Sequence, residues 1–211
     1  GVAFLGIDSN VQDSITEMAA YAERHNIQFP LLKDVGNRLA DAVGATRTPE
    51  VIVLGPGRII SYRGRIDDQY GVGVVRDQAH ANDLQQAIDE ILAGQPVSKP
   101  LTEPVGCLIG RVRAPDPSAE VTYSNQIARL MQQRCVECHR EGEIAPFALV
   151  DYDEVAGWAE MILEVVEERR MPPWHASDEI GRFANDRALS DEDRELIRQW
   201  VEAGAPEGDP D

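Results

Sequence analysis

Three side chains with chemistry to offer stand together in the run Cys135-Val136-Glu137-Cys138-His139. Two thiols at this spacing can add to the two vinyl groups of one porphyrin, and the adjacent imidazole then lies beneath the iron as an axial ligand. A thioredoxin-type dithiol and half of a zinc site are the rival readings. A redox dithiol favours a strand-to-helix turn in a βαβ context, whereas this pair is expected at the end of a helix among helices. Zinc needs further Cys or His at ligand spacing, and this half of the chain adds only His175. The pattern therefore points to one covalently attached haem c on Cys135 and Cys138, with His139 as a metal ligand.

An electron-carrying haem iron takes a second axial ligand, and a methionine thioether raises its reduction potential relative to histidine. The candidates are Met131, Met161, Met171 and His175. Met131 precedes the cysteines by one helical turn and Met161 sits in an apolar stripe, so both read as core. Met171 falls where a helix must stop, between Arg169-Arg170 and Pro172-Pro173-Trp174. The prolines stiffen the backbone there, and Trp174 can supply a flat apolar wall against water. Met171 is the expected second metal ligand, with His175 as the alternative. Ile144, Pro146 and Phe147 are expected to pack on the porphyrin. Arg170, with Arg169, could pair with propionates or stay solvated.

The elements around these residues follow from periodicity. Val2 to Ile7 is short and apolar enough for a strand, and Ile15, Met18, Ala19 and Ala22 recur at helical spacing up to about His25. Residues 50–54 and 58–63 flank Gly55-Pro56-Gly57 as a hairpin, and a helix is expected over roughly 79–93. Between Gly94 and Pro117 five prolines mark a linker or extended strap. Beyond it, three helical stretches are expected. The first, Tyr123 to Arg134, runs into the cysteines; the second carries Trp158, Met161, Ile162 and Val165. The third opens at Ser190, whose hydroxyl can cap it, and closes at Gly204.

Charge narrows the partners. The formal net charge is −17. Residues 1–115 hold 11 basic against 14 acidic side chains, and residues 116–211 hold 9 against 23. Nucleic acid is excluded as an expected partner, because phosphates call for a basic surface. An acidic second half can steer a basic redox partner protein, or can serve only to keep the surface solvated. No run is long and apolar enough for a membrane span. The chain opens Gly1-Val2-Ala3-Phe4 without methionine or a basic leader, and is expected to be a processed piece with room for further domains in a longer parent.

The motifs CVECH, EIAPFALVDYDE, RRMPPWHA, GRF and LSDEDRELIRQWVEAGAPEGDP together resemble the small class I-type cytochrome c domain found in multidomain redox proteins of planctomycetes and related bacteria. The resemblance covers about residues 120–211. It implies haem c, His139/Met171 ligation and a periplasmic or otherwise exported location. The first half, with Thr48-Pro49, the run from Tyr62 to Asp68 and Gly106-Cys107, resembles the later portion of the redoxin/peroxiredoxin-like thioredoxin fold. Residues 1–106 contain no cysteine, so thiol catalysis is not carried over, and a lone Cys107 reads as a buried thiol.

The expected fold class is two domains, an α/β thioredoxin-like one incomplete at its N-terminus plus an all-α cytochrome c. They span residues 1–95 and 120–211, with 96–119 as linker or strap. The expected function is electron transfer by a c-type cytochrome with a tethered thioredoxin-like domain. Two alternatives are a redoxin-type thiol enzyme whose active-site segment lies outside this sequence, exchanging electrons with the haem, and a haem sensor or peroxidase with an open iron position.

Overall fold

A computed structural model describes residues 1–174, 176, 180–181 and 183–210. The chain divides into two compact units, one of residues 1–37 with 110–211, the other of residues 38–109.

The first unit begins with β1 (Gly6–Asp8), α1 (Ile15–Arg24) and β2 (Leu31–Lys33). Strands β1 and β2 pair in parallel, Ile7 opposite Leu32. Helix α1 starts at a capping box, in which the Glu17 N–H donates to Ser14 Oγ at 3.1 Å and the Ser14 N–H donates to Glu17 Oε2 at 2.9 Å. Asn37 is buried, and its side-chain amide donates to the carbonyls of Ser9 and Gly110 while accepting from the Val112 N–H at 2.9 Å. This one side chain ties the first strand's exit to residues far along the sequence.

The remainder of that unit is helical. A wide turn over Tyr123–Ile127 leads into α4 (Ala128–Arg134), followed by α5 (Tyr152–Gly157), α6 (Ala159–Glu167) and α7 (Asp191–Glu202). Ser190 caps α7 by accepting from the Asp193 N–H at 3.0 Å, where Asp191, Glu192 and Asp193 also suit the positive helix end. Ile127, Met131, Val155, Ile197 and Trp200 are almost wholly buried together. The Trp200 indole N–H is satisfied by the Pro206 carbonyl at 3.0 Å, so this large ring is buried without an orphaned donor.

The second unit holds α2 (Arg38–Val43), β3 (Arg47–Thr48), β4 (Val51–Leu54), β5 (Ile60–Gly64), β6 (Tyr70–Gly71), β7 (Val74–Val75), α3 (Asp83–Leu92) and β8 (Cys107–Leu108). β4 and β5 form the hairpin around Gly55-Pro56-Gly57, and β8 lies antiparallel to β3 with Cys107 opposite Thr48. Residues 100–102 run as a strap beside β5, where the Arg63 N–H donates to the Pro100 carbonyl and the Thr102 N–H to the Arg63 carbonyl, both at 3.0 Å. The Thr48–Pro49 and Met171–Pro172 peptide bonds are cis.

The expected fold class is corrected by this architecture. The chain is mixed α/β, with its strands in short two-stranded sheets among the described residues, instead of an α/β thioredoxin-like domain followed by an all-α cytochrome c domain. No all-α domain is set apart, because the unit that contains α4–α7 also contains the β1–β2 pair. The reason is physical. The strands are two to five residues long and each has glycine or proline in or beside one of its ends, which leaves no continuous ladder to extend. Asn37 meanwhile bonds the first strands to residues 110–112 rather than to their sequence neighbours.

Asp83, at the start of α3, is the buried charge of the second unit, 5% exposed. It accepts from Arg65 Nε at 2.7 Å and Lys99 Nζ at 2.8 Å. Burial would raise its carboxyl, but the hydrogen bonds from Lys99 and Arg65 outweigh burial and hold it below the ordinary value. Asp83→Ala is expected to cost about 2 kcal/mol, the order of a charge-assisted hydrogen bond with its partners left behind. Urea unfolding checks this, and an unchanged midpoint would show that Arg65 and Lys99 are satisfied by water instead.

Candidate haem-attachment site

Helix α4 delivers the chain to a tight turn. The Cys135 carbonyl accepts from the N–H groups of Cys138 at 3.1 Å and His139 at 3.0 Å. Positions i, i+3 and i+4 of such a turn share one face, so Cys135, Cys138 and His139 are brought together while Glu137 stands off that face. The turn is anchored on both sides: the Cys135 N–H donates to Met131 in α4, and the His139 carbonyl accepts from Leu149, itself buried in the core.

The imidazole is held from behind. His139 Nδ1 lies 3.1 Å from the Phe147 carbonyl. With the proton on Nδ1 donated to that oxygen, Nε2 is left as the nitrogen with a lone pair, the usual arrangement for a metal-ligating histidine. The Phe147 ring sits 4.8 Å from the imidazole and stacks on Trp158 at 4.2 Å and 14°. Trp158, between α5 and α6, is a supporting residue that helical periodicity assigns only to a buried stripe. Its part at the site depends on a ring contact across eleven residues, which no local pattern signals.

Cys135 is half-buried, and burial pushes its thiol up to about 11. The carboxyl of Glu137 is held below its usual range by its hydrogen bond to Arg187. None of the three cysteines forms a disulfide. Cys107 is half-buried and belongs to the other unit.

Met171 emerges from a well-defined helix end. After α6 the Arg169 N–H donates to the Val166 carbonyl at 3.2 Å and the Arg170 N–H to the Val165 carbonyl at 2.8 Å, with Arg169 at φ 58°. This is the Schellman closure, made with arginine where glycine is usual. The Met171 N–H shares the Val165 carbonyl at 3.0 Å, which fixes the backbone while the side chain stays 41% exposed. Arg170 is paired with Glu164 at 2.6 Å and Glu168 at 2.5 Å. Trp174 meets Phe183 edge-on at 5.8 Å.

Met131 is 1% exposed in the core and Met161 is half-buried on α6. His175 lies outside the described residues. Ile144 is 89% exposed and Pro146 is exposed beside it, apolar surface that a porphyrin face would cover. Among the described residues no three His, Cys, Asp or Glu side chains gather to hold a bare metal ion; iron inside a porphyrin takes only its axial ligands from the protein. Two clefts, of about 330 and 350 Å³, lie away from this turn. No helix of the described residues is long and apolar enough to cross a membrane.

No family model and no curated protein matches the chain. Among solved structures, a hypothetical protein from Sinorhizobium meliloti 1021 is 28% identical over 53% of this chain and 63% of its own, with a TM-score of 0.47. An uncharacterized conserved protein from Geobacillus kaustophilus is 30% identical over 52% of this chain and 59% of its own, with a TM-score of 0.44. The chain thus spans less than two thirds of either neighbour, and neither name states a function.

Two outcomes check this geometry. In the haem-free chain, alkylation of Cys135 by iodoacetamide, followed by peptide mapping, should still be accelerating from pH 9 to pH 11, because burial delays the thiolate. A plateau reached by pH 9 would mean an exposed thiol. Arg169→Gly should raise stability by about 1 kcal/mol, the cost of the left-handed conformation for a residue with a Cβ; a lower urea midpoint would assign the arginine side chain a stabilising role.

Proposed function

We propose that this chain is a c-type cytochrome electron-transfer protein. Cys135 and Cys138 would hold one haem c, and His139 and Met171 would supply the protein ligands to its iron. The observation that carries the reading is the His139 ring: its Nδ1 faces the Phe147 carbonyl on the same turn that presents both thiols, leaving Nε2 for iron. The bound haem would supply an iron that cycles between ferric and ferrous without gaining or losing a ligand.

The chain's own residues do the rest. Phe147 and Trp158 fix the plane of the imidazole and keep water from its rear. Ile144 and Pro146 offer apolar surface to the porphyrin, and Trp174 with Phe183 forms a wall on the strap that follows Met171. Met171 is presented from a backbone already fixed by Val165, so little ordering is left when its sulfur binds. The excess of acidic side chains in residues 116–211 suits a basic redox partner, drawn in by long-range attraction that salt would weaken. Thiol-linked haem also accords with an exported compartment, the location implied by the sequence resemblance.

Absorption spectra of the haem-loaded protein test the assignment. Haem should stay with the polypeptide through denaturing gel electrophoresis and be lost in the Cys135→Ala/Cys138→Ala double variant. The ferric protein should show the long-wavelength charge-transfer band of a methionine-ligated iron, absent in Met171→Ala. Retention of that band in Met171→Ala would overturn the ligand assignment. Rapid carbon monoxide binding by the ferrous parent would favour a sensor or peroxidase.

A further inference from the structure

Among the described residues, Gln12 alone has side-chain polar atoms that are buried without a hydrogen-bond partner, and both Nε2 and Oε1 are so placed. An amide left in this state costs free energy that an apolar side chain of the same shape would not. What Gln12 contributes is therefore its shape. The backbone beside it is fixed to residues far along the chain: the Val11 N–H donates to the Gly110 carbonyl at 3.1 Å, and the Gly110 N–H donates to Asn10 Oδ1 at 3.3 Å.

The side chain is wedged between two glycines. A Cβ on Gly110 would overlap Gln12 Oε1 and lie 2.7 Å from the Gly157 carbonyl, and a Cβ on Gly157 would lie 2.6 Å from Gln12 Cβ. Neither glycine has a positive φ, so what glycine supplies at both positions is room. Gly157 is the last residue of α5 and Ala159 the first of α6, which leaves Trp158 as the single joint between the two helices, at φ −102° and ψ 7°. The Trp158 N–H donates to the Val155 carbonyl at 3.2 Å and its carbonyl accepts from the Ile162 N–H at 2.8 Å. From this joint the indole stacks on Phe147, whose ring meets the His139 imidazole and whose carbonyl faces His139 Nδ1.

We propose that Gln12 is a positioning residue for His139: wedged against Gly157, it sets the α5–α6 joint and with it the Trp158–Phe147 stack behind the imidazole. The inference rests on the electron-carrier reading above and gives that site a control point in the loop between β1 and α1. A ligating histidine whose Nδ1–H bond is firmly held is the more basic ligand. Loosening the support behind it therefore weakens its hold on ferric iron and makes the iron easier to reduce.

The test uses the haem-loaded protein. Gln12→Ala should raise the reduction potential while the methionine charge-transfer band is retained. It should also speed solvent exchange of the His139 Nδ1–H about fivefold, the scale of a typical single substitution. Gln12→Leu, close in size and without an amide to bury, should keep the parent potential and exchange rate. On a Trp158→Ala background, Gln12→Ala should add little, because the two act through one path. An unchanged potential or exchange rate in Gln12→Ala would overturn the proposal, as would an undiminished effect on the Trp158→Ala background. A Gln12→Leu protein that behaves like Gln12→Ala would also overturn it, by assigning the role to the amide instead of the wedge.

Backbone amide exchange separates positioning from general loosening. In Gln12→Ala it should speed up at residues 157–159 and stay unchanged at Ile197 and Trp200 in the core; equal acceleration at all of them would reduce Gln12 to a stability residue and sink the proposal. These amides are read without reference to iron, and the Met171→Ala spectrum decides the ligand assignment separately. Failure of the electron-carrier reading is thus distinguishable from failure of the wedge.

Discussion

The carbonyl oxygen of Cys135 accepts hydrogen bonds from the N–H groups of both Cys138 and His139, and the site is built outward from that oxygen. Because the two bonds close a helical turn, three reactive side chains share one face. The turn itself can hold its shape because α4 enters it from the core through Met131 and the chain leaves it into the core at Leu149. A site that must present thiols and an imidazole within one turn cannot rest on a mobile loop. Here both ends of the turn are tied to the most deeply packed cluster of the unit.

From that turn two kinds of support diverge. Behind it, Phe147 serves twice, its carbonyl orienting His139 Nδ1 and its ring bridging the imidazole to Trp158. In the same unit, the end of α6 turns sharply at Arg169 and sets Met171 on a carbonyl it shares with Arg170. Both supports rely on backbone oxygens, which any sequence supplies, placed by side chains that only this one does. The second unit is stabilised differently, by the buried Asp83 with Arg65 and Lys99, and by Arg63 reaching Glu50 and the carbonyls of Val43 and Gly44. Its strands are short, so these side-chain links do what a longer ladder would otherwise do.

Local chemistry made much of this legible. The helix starts at Ser14 and Ser190, the hairpin around Gly55-Pro56-Gly57 and the helix end before Pro172 each depend on residues within one turn of one another. The fold class did not. Whether short strands join into one sheet depends on partners distant in sequence, and the buried amide of Asn37, with Asn10 and Val11, bonds the segment after β1 to residues 110–112. Hydrophobic periodicity carries no trace of such a bond.

By itself, the sequence determined that Cys135, Cys138 and His139 converge, because two cysteines and a histidine at i, i+3 and i+4 need only one turn of backbone to do so. It determined equally where α7 must start, since a capping serine acts on its nearest neighbours, and that α6 could not run past Pro172, whereas its closure at Arg169 was decided by the fold. Only the tertiary structure decided that Phe147 and Trp158 stand behind His139, that Arg170 pairs with Glu164 and Glu168, and that Arg187 closes on Glu137. The last contact crosses fifty residues. Ring stacking and guanidinium forks have ranges of a few ångströms, so they exist only after packing has brought distant parts of the chain together.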